Sequence, residues 1–328
     1  MNVSLLRFLY FYLVLACAGA YAQEAPSSNN ILLVADKVED AVYFVNADTL
    51  EVESKVEVGR GPHEITVLPQ LNRAYVTNYE GSPSVSIIDT NSRREIYRSN
   101  LRRLDRPHGI VPSHDGKWLY ITVEANLAVL QMDPRNGEPL QTIETGQRFT
   151  HMVVASPDGK RLYTSNLGSG NISVIDLTSN QLIQHIETGN GTEGIALTPD
   201  GTELWITNRA SDTVSILNTE SLEVFETFTV EGFPIRVEIS PDGRMAVVSS
   251  AEAGEVTIID VSTKRTLARV GVGEFPVGVE ISSDSQRAFI GNSRSGSISV
   301  IDLRSYQVTN LVKLGRGPDG MAYLAIKR

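Results

Sequence analysis

Three of the five histidines in this 328-residue chain, His63, His108 and His151, recur 45 and 43 residues apart. Imidazole ligates borderline divalent metals and exchanges protons near neutral pH, so a periodic set of three marks a metal or proton-transfer site. The same phase continues through Glu193, Ile235, Val277 and Asp319. Two readings follow. In one, His63, His108 and His151 hold a divalent metal and Glu193 acts as general base. In the other, these residues are the polar lining of a wet channel, inherited by duplication, with Pro62-His63 and Pro107-His108 as sister positions.

One residue further on stand Glu64, Gly109, Met152, Gly194, Arg236, Gly278 and Gly320. Four glycines there ask for close backbone approach or positive φ. Arg236 suits the carboxylate or phosphate of a ligand, or a structural pair with Glu64 or Glu238. The ligand-binding candidates are therefore His63, Glu64, His108, His151, Glu193, Arg236 and Asp319. Leu33, Tyr75, Tyr120, Tyr163, Trp205, Val247 and Phe289 form a largely aromatic set, better suited to packing than to stacking a planar cofactor. Asn78, Asn166, Asn208 and Asn292 follow it and are expected to satisfy turn backbone. Glu124 breaks the apolar or neutral pattern at its own position. His114 and His185 are expected at the surface. No nucleophile constellation, G-x-S-x-G, H-E-x-x-H, Walker or dinucleotide fingerprint appears in a suitable context.

The elements that carry these residues are set by an internal repeat. Short apolar strands ending in Asp or Asn close at Asn46, Asp89, Asp133, Asp176, Asn218, Asp260 and Asp302, in steps of 43, 44, 43, 42, 42 and 42. Pro157-Asp158-Gly159, Pro199-Asp200-Gly201 and Pro241-Asp242-Gly243 supply tight turns in the same phase. Four short strands per unit at this period predict an all-β, seven-bladed β-propeller of antiparallel blades. The first unit lacks a strand before Ile31, and Gly317 to Tyr323 is left over at the C-terminus, so the last strand is expected to complete the first blade and remove a free edge. Blade 1 then comprises 31–59 plus 317–326, blade 2 61–101, blade 3 106–146, blade 4 149–189, blade 5 191–231, blade 6 233–273 and blade 7 275–315.

Tyr75-Val76-Thr77-Asn78, the Pro-Asp-Gly turns and the Val-Ile-Asp strands resemble the YVTN-type, or YncE-like, seven-bladed β-propeller repeat family over residues 31–328. The resemblance extends more distantly to the haem d1-binding, cytochrome cd1-type propellers and their maturation factors, and to exported propellers found with quinone-dependent alcohol catabolism. It implies the fold, whereas the function must be argued from the site.

Residues 1–22 read as a signal peptide: Arg7, an apolar run from Phe8 to Ala16, then Ala20-Tyr21-Ala22 ahead of Gln23. Val14-Leu15-Ala16-Cys17 also resembles a lipobox, which would leave a lipid-anchored form. Residues 23–30 form a polar leader. The expected location is the periplasm or the extracellular space. Cys17 is the one cysteine, so covalent c-type haem through C-x-x-C-H is excluded; the cofactor is otherwise unknown, a divalent metal being one occupant of the histidines. The net charge of −10 argues against nucleic acid as a partner. No transmembrane segment is expected. The expected partner is an unknown small molecule or a periplasmic protein, and the chain is expected to be a monomer. These observations favour a non-catalytic binding or scaffolding protein with its site at the central-channel mouth. The alternative is a metal- or haem d1-handling propeller of lyase, lactonase or cofactor-maturation type, built on His63, His108, His151 and Glu193.

Overall fold

The computed structural model describes residues 30–325. The signal-peptide and lipobox readings lie outside them. Twenty-eight strands, β1–β28 in chain order, form seven four-stranded antiparallel sheets. Six blades each use four consecutive strands. Blade 1 is assembled in the order β28-β1-β2-β3, with β28 (Pro318–Leu324) paired to β1 (Ile31–Asp36) in a register that sets Ile31 against Leu324 and Leu33 against Ala322. The terminal strand therefore closes the ring, as expected.

Burial explains why the strands read as they do. The second strand of a blade is covered on both faces by neighbouring blades, and β5 (Arg73–Asn78) and β17 (Glu203–Asn208) are buried from their second residue onward. Continuous apolar runs suit that position. The outermost strands, such as β7 (Arg94–Asn100) and β11 (Glu138–Glu144), have one wet face and are largely exposed. Tyr75, Tyr120, Tyr163, Trp205 and Phe289 are buried between blades, so the aromatic set is packing.

The asparagine expectation needs correction. Asn78, Asn166 and Asn208 donate from Nδ2 to serine, threonine or asparagine side chains on the third strand of the same blade at 2.8–3.1 Å. Asn292 does the same to Ser297 and Ser299, and its Oδ1 alone accepts a backbone amide, from Gly273. These positions are fully buried between blades, and their amide nitrogens are satisfied by side chains of the adjoining strand.

Candidate functional site at the channel mouth

The innermost strands are β4 (Pro62–Leu68), β8 (Pro107–Pro112), β12 (Thr150–Ala155), β16 (Thr192–Leu197), β20 (Pro234–Ile239), β24 (Pro276–Ile281) and β28. Each slips register against its second strand at its first residues. Pairing jumps from Pro62 to Ile65, Pro107 to Ile110, Thr150 to Val153 and Thr192 to Ile195. A bulge releases consecutive residues from strict alternation, so His63 and Glu64 can both serve the mouth. A hydroxyl on the second strand takes up the released amide. Thr77 Oγ1 accepts from Glu64 N at 3.1 Å, Thr122 Oγ1 from Gly109 N at 2.8 Å and Thr207 Oγ1 from Gly194 N at 2.8 Å. The same hydroxyls donate to His108 O, His151 O and Ile235 O of the next blade, at 2.7, 2.5 and 2.9 Å. Close approach explains the glycines. A Cβ on Gly109 would lie 2.8 Å from His151 O, and on Gly194, Gly278 or Gly320 it would overlap the carbonyl of Ile235, Asp319 or His63.

A second rim, which the sequence reading did not assemble, lies one residue past each second strand: Lys37, Tyr79, Glu124, Leu167, Arg209, Ala251 and Ser293. In every blade the amide of this residue donates to a carbonyl two residues before the first-rim residue, from Lys37 N to Gly317 O through Ser293 N to Phe275 O, at 2.9–3.1 Å. Two concentric rims are thus docked by one repeated backbone bond. Glu124 alone among its members was noticeable in the sequence, as an odd residue.

The rims meet chemically on blades 2 to 6. The rings of His63 and His108 are 5.0 Å apart, and those of His108 and His151 are 3.8 Å apart at a 32° tilt. His63 Nδ1 is engaged by Gly61 O at 2.8 Å. His151 Nδ1 lies 2.5 Å from Glu124 Oε1, and Tyr79 donates to Glu124 Oε2 at 2.6 Å. His151 Nε2 faces Glu193 Oε1 at 3.5 Å, while Arg209 Nη1 reaches Glu193 Oε2 at 2.6 Å. Arg236, from blade 6, pairs with Glu64 of blade 2 and stands 3.7 Å from Glu193. Asp319 is paired with Lys37 Nζ at 3.2 Å, and against its burial the charges of Lys37, His63 and Arg236 hold its carboxyl below the usual value. Ile235 and Val277 contribute only to an apolar cluster with Phe233 and Phe275. His108, Glu124, His151 and Glu193 are buried; His108 Nδ1 lacks a hydrogen-bond partner, and His151 Nε2 has only the long contact with Glu193.

Burial, with the charges of His151 and His63, holds His108 well below its ordinary value, so it is neutral. Burial also opposes charge on His151, but hydrogen bonds and attraction from Glu124 and Glu193 outweigh it and raise the imidazole to about 9. Glu193 resists its own burial through His151, Arg209 and Arg236 and is held below the usual carboxylate value. Burial raises Glu64 despite Arg236.

A cavity of about 310 Å³ opens over this cluster, lined by His63, Tyr79, His108, Glu124, Phe149, His151, Leu167 and Arg209. Broader clefts of about 680 and 830 Å³ lie elsewhere, one beside His114 and Trp118 and one beside Arg93 and Tyr323. Neither contains a comparable convergence of buried titratable groups, and His114 is exposed. His185 is half-buried on an outermost strand, against Ser173.

The comparisons agree with this architecture. A YncE-like beta-propeller model matches residues 141–287 and a lactonase, 7-bladed beta-propeller model matches residues 21–182. No curated protein matches the chain. Among solved structures, Kuenenia stuttgartiensis hydrazine synthase is similar at 24% identity and a TM-score of 0.74, covering 88% of this chain and 99% of that one. Pseudomonas aeruginosa periplasmic gluconolactonase, PpgL, aligns at 21% identity and 0.75, covering 91% and 99%. The dihydro-haem d1 dehydrogenase NirN in complex with DHE aligns at 16% identity and 0.69, covering 91% and 75%. At these identities the structural likenesses speak for the fold. Among the described residues no helix is long and apolar enough to cross a membrane. The chain is a seven-bladed β-propeller, similar to the YncE-like propellers over residues 141–287 and to the lactonase propellers over residues 21–182.

Proposed function

We propose that the protein is an exported binding protein that takes a small oxygen-rich anionic molecule at the channel mouth. The observation that carries this reading is the cavity over His108 and His151, with Arg209 lining it and His108 Nδ1 beneath it without a partner. A ligand oxygen would supply what that nitrogen lacks, and Arg209, whose Nη1 is held by Glu193, would offer its remaining N–H groups to a carboxylate. A thermal-shift series with aldonic acids tests it. Millimolar gluconate should raise the melting temperature of the wild-type chain, and Arg209→Ala should abolish the shift. Absence of any shift across a panel of aldonates, uronates and dicarboxylates would refute it.

A second reading is favoured by the lactonase-model match and by the charge state of His151. An imidazolium held near a pKa of about 9 is a proton donor at neutral pH. In lactone opening, water would add to the carbonyl carbon, the ring C–O bond would break, and the leaving oxygen would take the His151 proton. The resulting neutral imidazole would then accept the proton released by the water. Glu193, expected as a base, is paired with Arg209 and serves this scheme as the charge partner of His151. Hydrolysis of glucono-1,5-lactone no faster than buffer would exclude this reading, while leaving the binding test to stand on its own result.

A further inference from the structure

We propose that His108, Glu124 and His151 form a binding site for a divalent transition-metal ion, with zinc as the reference ion. The three residues come from β8, the single 3-10 turn after β9 (Leu119–Val123), and β12. Each places one potential ligand atom within 4.8 Å of the other two. Two imidazoles and one carboxylate are a donor set that first-row divalent ions accept, and three protein donors leave a coordination position open. The adjoining cavity supplies room for that position.

Burial sharpens the argument. The residues are 5%, 3% and 7% exposed, yet His108 Nδ1 has no hydrogen-bond partner and His151 Nε2 has only Glu193 Oε1 at 3.5 Å. A buried nitrogen without a partner is costly and calls for an explanation. A proton shared between His151 and Glu124 leaves His108 unexplained; an ion held by all three does not. The surroundings also match a metal centre. Tyr79 donates to Glu124 Oε2 and leaves Oε1 on the histidine side, the kind of outer hydrogen bond that orients a ligating carboxylate. Glu193 is occupied by Arg209, and Glu64 by Arg236, so neither competes as a free carboxylate. This assignment replaces His63 of the three-histidine reading by Glu124, since His63 lies on the far side of His108 with Nδ1 bound to Gly61 O. It does not depend on the anionic ligand proposed above, and a bound ion would take the place of the His151 proton that the lactone-opening reading uses.

The test uses the full chain purified without a histidine tag, equilibrated with zinc, desalted and analysed for bound metal. About one zinc per chain is expected, and Co²⁺ in its place should give visible d–d bands. Glu124→Gln, which preserves shape, should weaken zinc binding at least tenfold, and His108→Ala should abolish it, with melting curves confirming that both variants are folded. His63→Ala should retain the metal. Less than about 0.1 equivalent in the wild-type chain would overturn the proposal. So would undiminished binding in folded Glu124→Gln, or loss of zinc in His63→Ala while Glu124→Gln keeps it.

Discussion

Arg236 leaves blade 6 and finds its carboxylate on blade 2, so this ion pair spans the channel. Removing one partner of a buried pair strands the other charge, which generally costs more than the pair contributes. Arg236→Met is therefore expected to lower unfolding stability by about 3–5 kcal/mol at pH 8. Glu64 is already raised by burial, so its neutral form is more accessible at pH 5 than at pH 8 and the loss should shrink there. Urea unfolding at both pH values checks this. Two residues beyond Arg236, and on the same side of the strand, Glu238 is raised by burial and by Glu64 to about 7. A carboxyl raised from 4.5 in the folded state contributes fully below about pH 4.5 and loses that contribution as pH climbs through 7. Glu238→Gln should thus melt higher than the wild type at pH 8 and equally at pH 4.5. The ceiling is on the order of 3 kcal/mol, reduced because Glu238 keeps some contact with solvent. At this scale the sequence was half legible. Three histidines and Glu193 emerged because they share one repeat phase. Lys37, Tyr79, Glu124 and Arg209 also share one, but their types differ, so no single residue class drew attention to the second rim.

The element that makes the mouth is the bulged start of each innermost strand. Its register slip accompanies Pro62, Pro107, Pro234, Pro276 and Pro318, which lack an amide, but recurs at Thr150 and Thr192, so proline favours the slip without being required for it. A slip strands an amide, and the threonine or serine on the neighbouring strand answers it while gripping the next blade. Thr122→Val keeps the shape and removes both bonds, leaving Gly109 N and His151 O buried. A loss of about 1–3 kcal/mol is expected, read from chemical denaturation. A neutral result would mean that the bulge is held by packing alone. The strands themselves were readable from apolar runs and Pro-Asp-Gly turns. The bulges were not, because a slip of pairing leaves no trace in alternation over so few residues.

For the whole molecule, the ring is sealed by backbone pairing and by Asp36. This fully buried carboxylate accepts from Gly317 N through Oδ2 and from Val38 N and Glu39 N through Oδ1, each at 3.0 Å. Asp36 occupies the place held by asparagine in blades 2, 4, 5 and 7 and uses it to fasten the two ends of the propeller. Deleting residues 317–328 removes β28 and exposes the inner edge of β1. Loss of a single cooperative thermal transition is expected, measured by calorimetry; a truncated chain that melts as sharply as the intact one would contradict the seal. Closure was visible in the sequence as a missing first strand and a surplus last one. The sequence offered Glu64 and Glu238 alike as partners for Arg236; the choice of Glu64, across the channel, depends on ring curvature that no local pattern encodes.

The closing strand also imposes an order in time. Blade 1 is begun first and finished last, because β1 waits for a partner 281 residues downstream in the pair between Asp36 and Gly317. At roughly 5–20 residues per second, a growing chain carries that open edge for roughly 15–60 seconds. Any helper that shields the nascent protein has that interval in which to act, and a ribosome that stops a few codons early leaves six complete blades beside an unfinished blade 1.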